Sequence, residues 1–244
     1  MNERLFQLLS ELNTEAPKVR YDYKDLFDAD LDTIPIPFFG HLHKAKVITI
    51  GLNPSDGEIR GRGWHQPIGS ALIYERLINY FNNPKYMRHR WFETWENALR
   101  EICVSYTDGT AAHVDICPWA TRPMSNHPDH NQFTNLVYQS LPWFWRCLQA
   151  AENMHLVLMA GAVNKKYYLN EFISRSPGPD GAIGNTLNGN VSRNGKAFVN
   201  CHTLHIFGRE IPVFFCSVSP SARNSAMLPV RVQEHKECIV SYLE

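Results

Sequence analysis

Four short apolar runs, separated by segments with helical spacing, constrain the fold of this chain more than any other feature. The apolar runs cover residues 46–50, 111–117, 155–160 and 211–217, lengths typical of buried β-strands. Helical spacing covers residues 2–13, 70–81, 91–103, 131–149 and 230–243. Ser70 is the expected N-cap of the second helix, and Pro142 leaves the fourth region as one helix or two. This alternation predicts an α/β protein with a four-stranded parallel central sheet in a three-layer α/β/α arrangement.

The length and composition suit one domain of this class. The chain has 244 residues, of which 44% are hydrophobic and 20% are charged, ordinary values for a globular protein with a substantial core. We therefore predict a single domain over residues 1–244, with residues 1–34 as an N-terminal helical extension. Residues 174–200 are rich in Gly, Asn, Ser and Pro, which predicts a loop or hairpin insertion.

The charge balance, the first residues and the lengths of the apolar runs limit the partners and the location that we expect for this protein. Lysine plus arginine equals aspartate plus glutamate, at 24 each, so a nucleic-acid enzyme of this composition needs its basic residues gathered on one face. The first residues lack a signal-peptide pattern, and no apolar run is long enough to span a membrane. We expect a cytoplasmic protein with no membrane partner.

The cysteines do not form a recognisable metal or disulfide pattern. The chain has six, of which Cys103, Cys117 and Cys216 lie in apolar surroundings, and no pair has the C-x-x-C spacing. A zinc site, an iron–sulfur cluster and a disulfide scaffold are therefore not indicated. We predict reduced thiols, no bound metal and no cofactor.

A polar turn follows the first predicted strand in the segment GLNPS at residues 51–55. Pro54 restricts Asn53 to an extended conformation, in which the side-chain amide can hold a water molecule through its carbonyl oxygen. The Asn-Pro dipeptide is also a common turn former. A phosphate-binding loop is a third interpretation, because Gly57, Gly61 and Gly63 follow, but the spacing fits neither the dinucleotide nor the P-loop pattern.

Three further features have two interpretations each, one as part of a functional site and one as a purely structural element. Asp115 lies in a buried strand, where a carboxylate needs a partner, either in the core or in a site. The segment SPSARN at residues 219–224 follows the last strand and suits either phosphodiester binding or helix capping. Trp64 offers a flat apolar face for base stacking, although core packing is the usual use of tryptophan.

Taken together, these segments resemble the uracil-DNA glycosylase superfamily, in order and across residues 35–240. The segments that carry the resemblance are residues 37–40 with 45–55, 113–118, 156–161 and 219–224. The last segment is most similar to the minor-groove loop of the single-strand-selective monofunctional branch. The resemblance implies hydrolysis of an N-glycosidic bond in DNA after the nucleotide has been flipped out of the duplex.

The resemblance also implies roles for individual residues. Asn53 would hold the attacking water, and Ser219 would help the departing base through hydrogen bonds. Base binding is implied for Gly51, Asp115, Trp64 and Ile68, the last two as competing candidates for the stacking platform. DNA contact is implied for Ser55, Pro220, Ser221, Arg223 and Asn224, with Arg223 as the minor-groove wedge or phosphate contact.

Two positions depart from the family pattern. Ser219 stands where the single-strand-selective branch has a histidine that stabilises the leaving anion, although the mismatch-specific uracil/thymine branch also lacks it. Asp115 stands where the family reads the base with asparagine. An ionised carboxylate only accepts hydrogen bonds, so it suits an exocyclic amine such as cytosine N4. The expected substrates are therefore aminated or modified pyrimidines, or deaminated purines, ahead of plain uracil.

The leading hypothesis is a monomeric, monofunctional DNA glycosylase that uses water as nucleophile and DNA as partner. One alternative is a protein of the same fold that binds nucleic acid without catalysis. Another is a glycosylase that acts on modified cytosine in foreign DNA. A small-molecule α/β hydrolase is disfavoured because the sequence lacks a G-x-S-x-G elbow.

Overall fold

The computed structural model describes residues 2–55, 57, 59, 64, 68–83, 90–123, 129–161, 186–191, 199–206, 208–216, 218–220 and 223–243. Ser221 and parts of the predicted insertion, residues 174–185 and 192–198, lie outside these ranges. Over the described residues, no helix combines the length and the apolar character needed to cross a membrane.

Four parallel strands form the centre of the sheet, where the sequence predicts them. They are β2 (Val47–Gly51), β3 (Ala111–Asp115), β4 (Leu156–Ala160) and β7 (Arg209–Cys216). In the sheet they follow the order β3-β2-β4-β7, with Thr49 opposite His113 and Leu158 in register. Every residue of β2, β3 and β4 is buried, which explains why these strands read as continuous apolar runs.

The complete sheet is larger than the predicted one and is not purely parallel. It has seven strands, because β1 (Phe38–Phe39) pairs antiparallel with β3, and β5 (Thr186–Val191) and β6 (Val199–Ile206) extend it antiparallel beyond β7. The prediction of a four-stranded sheet was therefore too small. The additional strands cover both edges of the parallel core, edges that would otherwise present unpaired backbone groups.

The helices occupy the predicted segments but differ from the predicted bounds at their ends. They are α1 (Glu3–Asp22), α2 (Ser70–Ile78), α3 (Arg90–Arg100), α4 (His130–Ala150), α5 (Met227–Glu234) and α6 (Lys236–Val240). Helix α4 is continuous through Pro142. The N-cap of α2 is Gly69 and not Ser70, and the predicted closing helix divides at His235.

The core is one continuous cluster of buried side chains that includes the N-terminal helix. Leu5, Leu8, Leu9 and Leu12 form the buried stripe of α1, which lies against α2 and α4. Helix α3 contacts α5 instead. Helix α1 is thus built into the core and stabilised there by apolar burial.

One cysteine is placed differently from its prediction. Cys103 is exposed and has a φ of 58°, the left-handed region that a non-glycine residue seldom adopts. It ends the turn after α3, so its apolar neighbours Ile102 and Val104 point inwards while its own side chain faces solvent. Cys117, Cys147 and Cys216 are buried free thiols.

Candidate functional site

The loops that follow β2 and β3 run side by side beyond the carboxyl edge of the sheet. The backbone N–H of Ile116 donates to the carbonyl of Gly51 at 3.1 Å, and that of Cys117 donates to Leu52 at 2.9 Å. Further out, Ser55 and Thr121 form a parallel bridge. Because parallel strands end at the same edge, polar groups on these loops meet where open α/β sheets bind ligands.

The side-chain amide of Asn53 is anchored between these two loops. Its Nδ2 donates to Oγ1 of Thr121 at 3.0 Å, to the carbonyl of Pro54 at 3.0 Å and, more weakly, to that of Trp119 at 3.5 Å. All three partners are hydrogen-bond acceptors. This arrangement fixes which side of the amide carries nitrogen, so Oδ1 is the atom of Asn53 that can accept a hydrogen bond from another molecule.

The tips of β4 and β7 are also adjacent at this edge. Gly161 ends β4 with a φ of 98°, and its N–H donates to the carbonyl of Cys216 at 2.9 Å. A Cβ at Gly161 would stand 3.7 Å from Cβ of Ser219. Thr94 of α3 donates to the carbonyl of Pro220 at 3.2 Å. The loop that contains Ser219 is therefore held in place by contacts with the sheet and with α3.

A row of buried polar side chains leads along the sheet to the carboxyl edge. The Tyr106 hydroxyl lies 2.6 Å from Oγ1 of Thr49, which lies 2.9 Å from Nδ1 of His113. On the other side of the imidazole ring, Nε2 lies 3.3 Å from Oδ1 of Asp115. Thr49 and His113 are register partners, and Asp115 is two residues further along the same strand face.

Gly51 makes room for the end of this row. A Cβ at this position would stand 2.3 Å from Oδ1 of Asp115 and 2.9 Å from Nε2 of His113, distances far below van der Waals contact. The carboxyl group therefore lies directly over the backbone of β2. Only glycine leaves that space without displacing the pair.

Burial dominates the electrostatics of the carboxyl group. Asp115 is 3% exposed, and burial raises its pKa while the neighbouring His113 opposes the rise. Burial also raises the pKa of the Cys117 thiol to about 12 and places the pKa of Tyr106 well above its ordinary value. The tyrosine and the cysteine near Asp115 therefore stay uncharged near neutral pH.

Helix α3 holds the segment that supplies Tyr106. Glu96 is buried and accepts from the backbone N–H of Tyr106 at 3.0 Å and from Oγ of Ser105 at 2.7 Å. Arg100 donates to the same carboxylate at 3.1 Å. These bonds satisfy a buried charge and fix the position from which the Tyr106 side chain reaches Thr49.

The remaining predicted site residues are distributed as follows. Trp64 is 1% exposed, with the guanidinium carbon of Arg76 5.4 Å from its ring centroid, and Ile68 is also buried. Stacking on a base would require either side chain to become exposed. Ser55, Arg223 and Asn224 are exposed, whereas Pro220 is buried. Ser221 belongs to the residues that the structure does not describe.

Two clefts open elsewhere on the described part of the molecule. One, of about 510 Å³, lies between α1 and residues 29–33. The other, of about 610 Å³, is lined by His41, His43 and Lys44, which precede β2, and by residues of α2. Over the described ranges, no group of three or more His, Cys, Asp or Glu side chains could hold a metal ion.

No family model matches this chain, and no curated protein matches its sequence.

Several residues of the site were missed by the sequence analysis. Thr49, Tyr106, His113, Thr94 and Thr121 supply contacts that position Asp115, Pro220 and Asn53. One signal was readable: a histidine and an aspartate two residues apart in a buried strand must share one face. Thr49, a lone polar residue in an apolar run, marks the same face of the neighbouring strand.

Proposed function

We propose that this protein is a monofunctional DNA glycosylase that hydrolyses the N-glycosidic bond of an everted base with a water molecule positioned by Asn53. The observation that carries the proposal is the three-acceptor anchor of Nδ2 of Asn53. An amide held in this way presents a fixed carbonyl oxygen at the carboxyl edge. Such an oxygen can orient a water molecule towards the anomeric carbon of a deoxyribose.

The chemistry of the edge supports this assignment. Cleavage develops positive charge on the sugar and negative charge on the departing base, so it needs an oriented nucleophile and hydrogen-bond donors for the base. Asn53 supplies the first. Ser219, which lies beyond the tip of β7 and against Gly161, supplies a hydroxyl donor on the same edge. Asp115, on the strand next to β2, supplies a group that discriminates between bases.

The proposal includes the finer features expected from the resemblance. The helices would cover both faces of the parallel core in a three-layer α/β/α arrangement. DNA would be the partner, bound by Arg223, Asn224, Ser55, Pro220 and Ser221, and the enzyme would act as a cytoplasmic monomer without metal or cofactor. Because the base must be everted at a cost of a few kcal/mol, damaged or unpaired bases would be preferred.

The decisive experiment is a base-release assay over oligonucleotides that each carry one modified or deaminated base, in single and double strands. Wild type should release at least one base, and Asn53→Ala should abolish release while DNA binding persists. Asn153→Ala is the matched control. It removes the same amide from an exposed position, where Nδ2 donates to the carbonyl of His43 at 2.7 Å at the opposite end of β2.

The outcomes separate the competing functions. Release by wild type and by Asn153→Ala, with loss in Asn53→Ala, supports the glycosylase. DNA binding without release of any base from the panel would identify a binding protein of this architecture. Release confined to modified cytosines would identify the defence-type glycosylase within the same chemistry.

A further inference from the structure

The His113–Asp115 pair has a hydrogen-bond pattern that water positioning by Asn53 does not require. Four buried side chains form an ordered chain: Tyr106, Thr49, His113 and Asp115. Buried polar groups of this kind must satisfy one another, so the chain has a direction. That direction determines which nitrogen of His113 carries the proton.

The direction follows from the partners available. The 2.6 Å contact between the Tyr106 and Thr49 hydroxyls is compatible with either as donor, and we take the phenol as the donor because Thr49 is the partner that the structure gives to that buried hydroxyl. Thr49 then has its own proton to donate. The two candidate acceptors are Nδ1 of His113 at 2.9 Å and the carbonyl of Ala112 at 3.4 Å. The shorter contact is the stronger hydrogen bond, so with Thr49 as the donor Nδ1 accepts and Nε2 carries the ring proton.

The opposite end of the ring then determines the role of the carboxyl group. The Nε2–H donates to Oδ1 of Asp115, and Oδ1 also lies against the backbone of Gly51. This leaves Oδ2 as the oxygen of Asp115 that is bonded by no residue within the described ranges. Asp115 is 3% exposed, so a base would contact this oxygen only after neighbouring groups move.

We infer that Thr49 and Tyr106 hold His113 as the Nε2–H tautomer and that His113 in turn positions Asp115, whose Oδ2 reads the base in two ways. Ionised, Oδ2 accepts a hydrogen bond from an exocyclic amino group. Protonated, it donates to a ring carbonyl in the same place. The inference rests on the proposed glycosylase function, and it extends the substrate class to both amino and keto bases. The ratio in which the two are released changes with pH.

The titratable groups around Asp115 come from β3, from the segments on either side of it and from α4. The titratable groups that interact with Asp115 are His113 on its own strand, Tyr106 before β3, Cys117 after it and Cys147 on α4. Burial raises the pKa of the tyrosine and of both cysteines, which keeps them neutral. From α3, the charge nearest the row is Glu96, paired with Arg100, and Trp91 packs its ring against His113 at 4.7 Å.

The test uses two probes that differ at the N3–C4 edge of the pyrimidine. Oligonucleotides that carry 5-hydroxymethyluracil and 5-hydroxymethylcytosine present a carbonyl and an amino group, respectively, at position 4, and N3 carries a hydrogen only in the uracil. As pH rises through the range in which the folded protein is stable, the ratio of keto to amino release in wild type should fall at least about tenfold, because burial raises the pKa of Asp115 and its ionisation reverses the preference. Asp115→Asn, which does not titrate, should show a constant ratio.

A second measurement reports on the hydrogen-bond chain from Tyr106 to Asp115 and does not depend on catalysis. The ¹⁵N shifts of His113 in the wild-type protein should show a protonated Nε2 and an unprotonated Nδ1. Thr49→Val should convert this to a mixture of tautomers, because Nδ1 loses its donor while the volume of the side chain is nearly kept. A loss of stability alone would not produce that spectroscopic change.

The possible failures are distinguishable. If wild type releases bases but the keto-to-amino ratio is independent of pH, or Asp115→Asn keeps the wild-type pH dependence, the inference is wrong and the glycosylase proposal stands. If His113 carries its proton on Nδ1, the inferred direction of the hydrogen-bond chain is wrong. If no oligonucleotide of the wider panel loses a base, the glycosylase proposal fails and base reading by Asp115 fails with it, while the ¹⁵N shifts still decide the tautomer.

Discussion

The side-chain nitrogen of Asn53 donates to Oγ1 of Thr121 across 3.0 Å, so a residue beyond β3 sets the orientation of a residue beyond β2. The Thr121 hydroxyl itself donates a hydrogen bond to the carbonyl of Arg122 at 3.0 Å. It is therefore held as an acceptor towards Asn53. Thr121 is a positioning residue in the proposed reaction, because it acts on water only through the amide.

Thr121→Val should reduce base release by about 10- to 100-fold, since small misplacements of a positioning group cost rate on this scale. Thr121→Ser keeps the hydroxyl and should restore most of the activity. The measurement is single-turnover release at saturating enzyme, with DNA affinity determined separately. Equal loss in the valine and serine variants would show that the hydroxyl does not orient Asn53.

Gly51→Ala should destabilise the protein by about 1–3 kcal/mol, the usual cost of overpacking a core, because the new Cβ would stand 2.3 Å from Oδ1 of Asp115. The matched control is Gly69→Ala, whose Cβ would meet no described atom within 4 Å and should cost about 0.5 kcal/mol as an N-cap change. Urea denaturation measures both. In the background of Asp115→Ala the Gly51 penalty should shrink, and an undiminished penalty would contradict the proposed clash.

Asp115→Asn should change how stability depends on pH. Burial raises the pKa of Asp115 in the folded state, so the native protein binds more protons than the unfolded chain between the unfolded and folded pKa values. Stability therefore falls as pH rises through that interval. Relative to wild type, Asp115→Asn should gain stability from about pH 4 upwards, where the unfolded aspartate ionises. A difference in unfolding free energy that stays constant from acid to neutral pH would contradict this assignment.

The thiols should fall into two classes of reactivity. Cys103 and Cys238 are exposed, whereas Cys117 and Cys147 are buried, and the pKa of Cys117 is raised to about 12. Because the thiolate is the reactive form, a disulfide reagent should label Cys103 and Cys238 in the native protein and the buried pair only after unfolding. Mass spectrometry of labelled peptides identifies each site, with Cys103→Ser as control. Native labelling of Cys117 at the rate of Cys103 would overturn the placement.

The parallel core was predictable because it depends on patterns within single segments. The runs at 46–50, 111–117, 155–160 and 211–217 are mostly apolar, and a strand buried on both faces needs that composition. The edge strands were not predictable in the same way. β1 has two residues, Phe38 and Phe39, within a proline-rich connector, and β5 and β6 lie in polar, glycine-containing sequence whose strand character depends on pairing with β7.

The site was predictable only where a single residue stands out in or next to an apolar run. Asn53 was identified because it follows such a run, and Asp115 because it is a carboxylate within one. The residues that orient them were missed, because Thr121 reaches Asn53 across 68 positions and Tyr106 reaches Thr49 across 57. Contacts of that range depend on strand order, which a local pattern does not contain. Trp64 shows the converse, because its flat ring suggested a stacking surface but the side chain is buried in the core.

Arg223→Ala should weaken binding to duplex DNA and reduce the salt dependence of that binding. Arg223 is exposed and lies three positions after Pro220, whose carbonyl accepts a hydrogen bond from Thr94. Loss of one phosphate contact should lower the slope of log affinity against log salt by about 0.9. Arg4→Ala is the matched control, since Arg4 pairs with Glu152 on the surface at 3.3 Å and belongs to α1. An unchanged slope in Arg223→Ala, or an equal change in Arg4→Ala, would show that Arg223 does not contact phosphate.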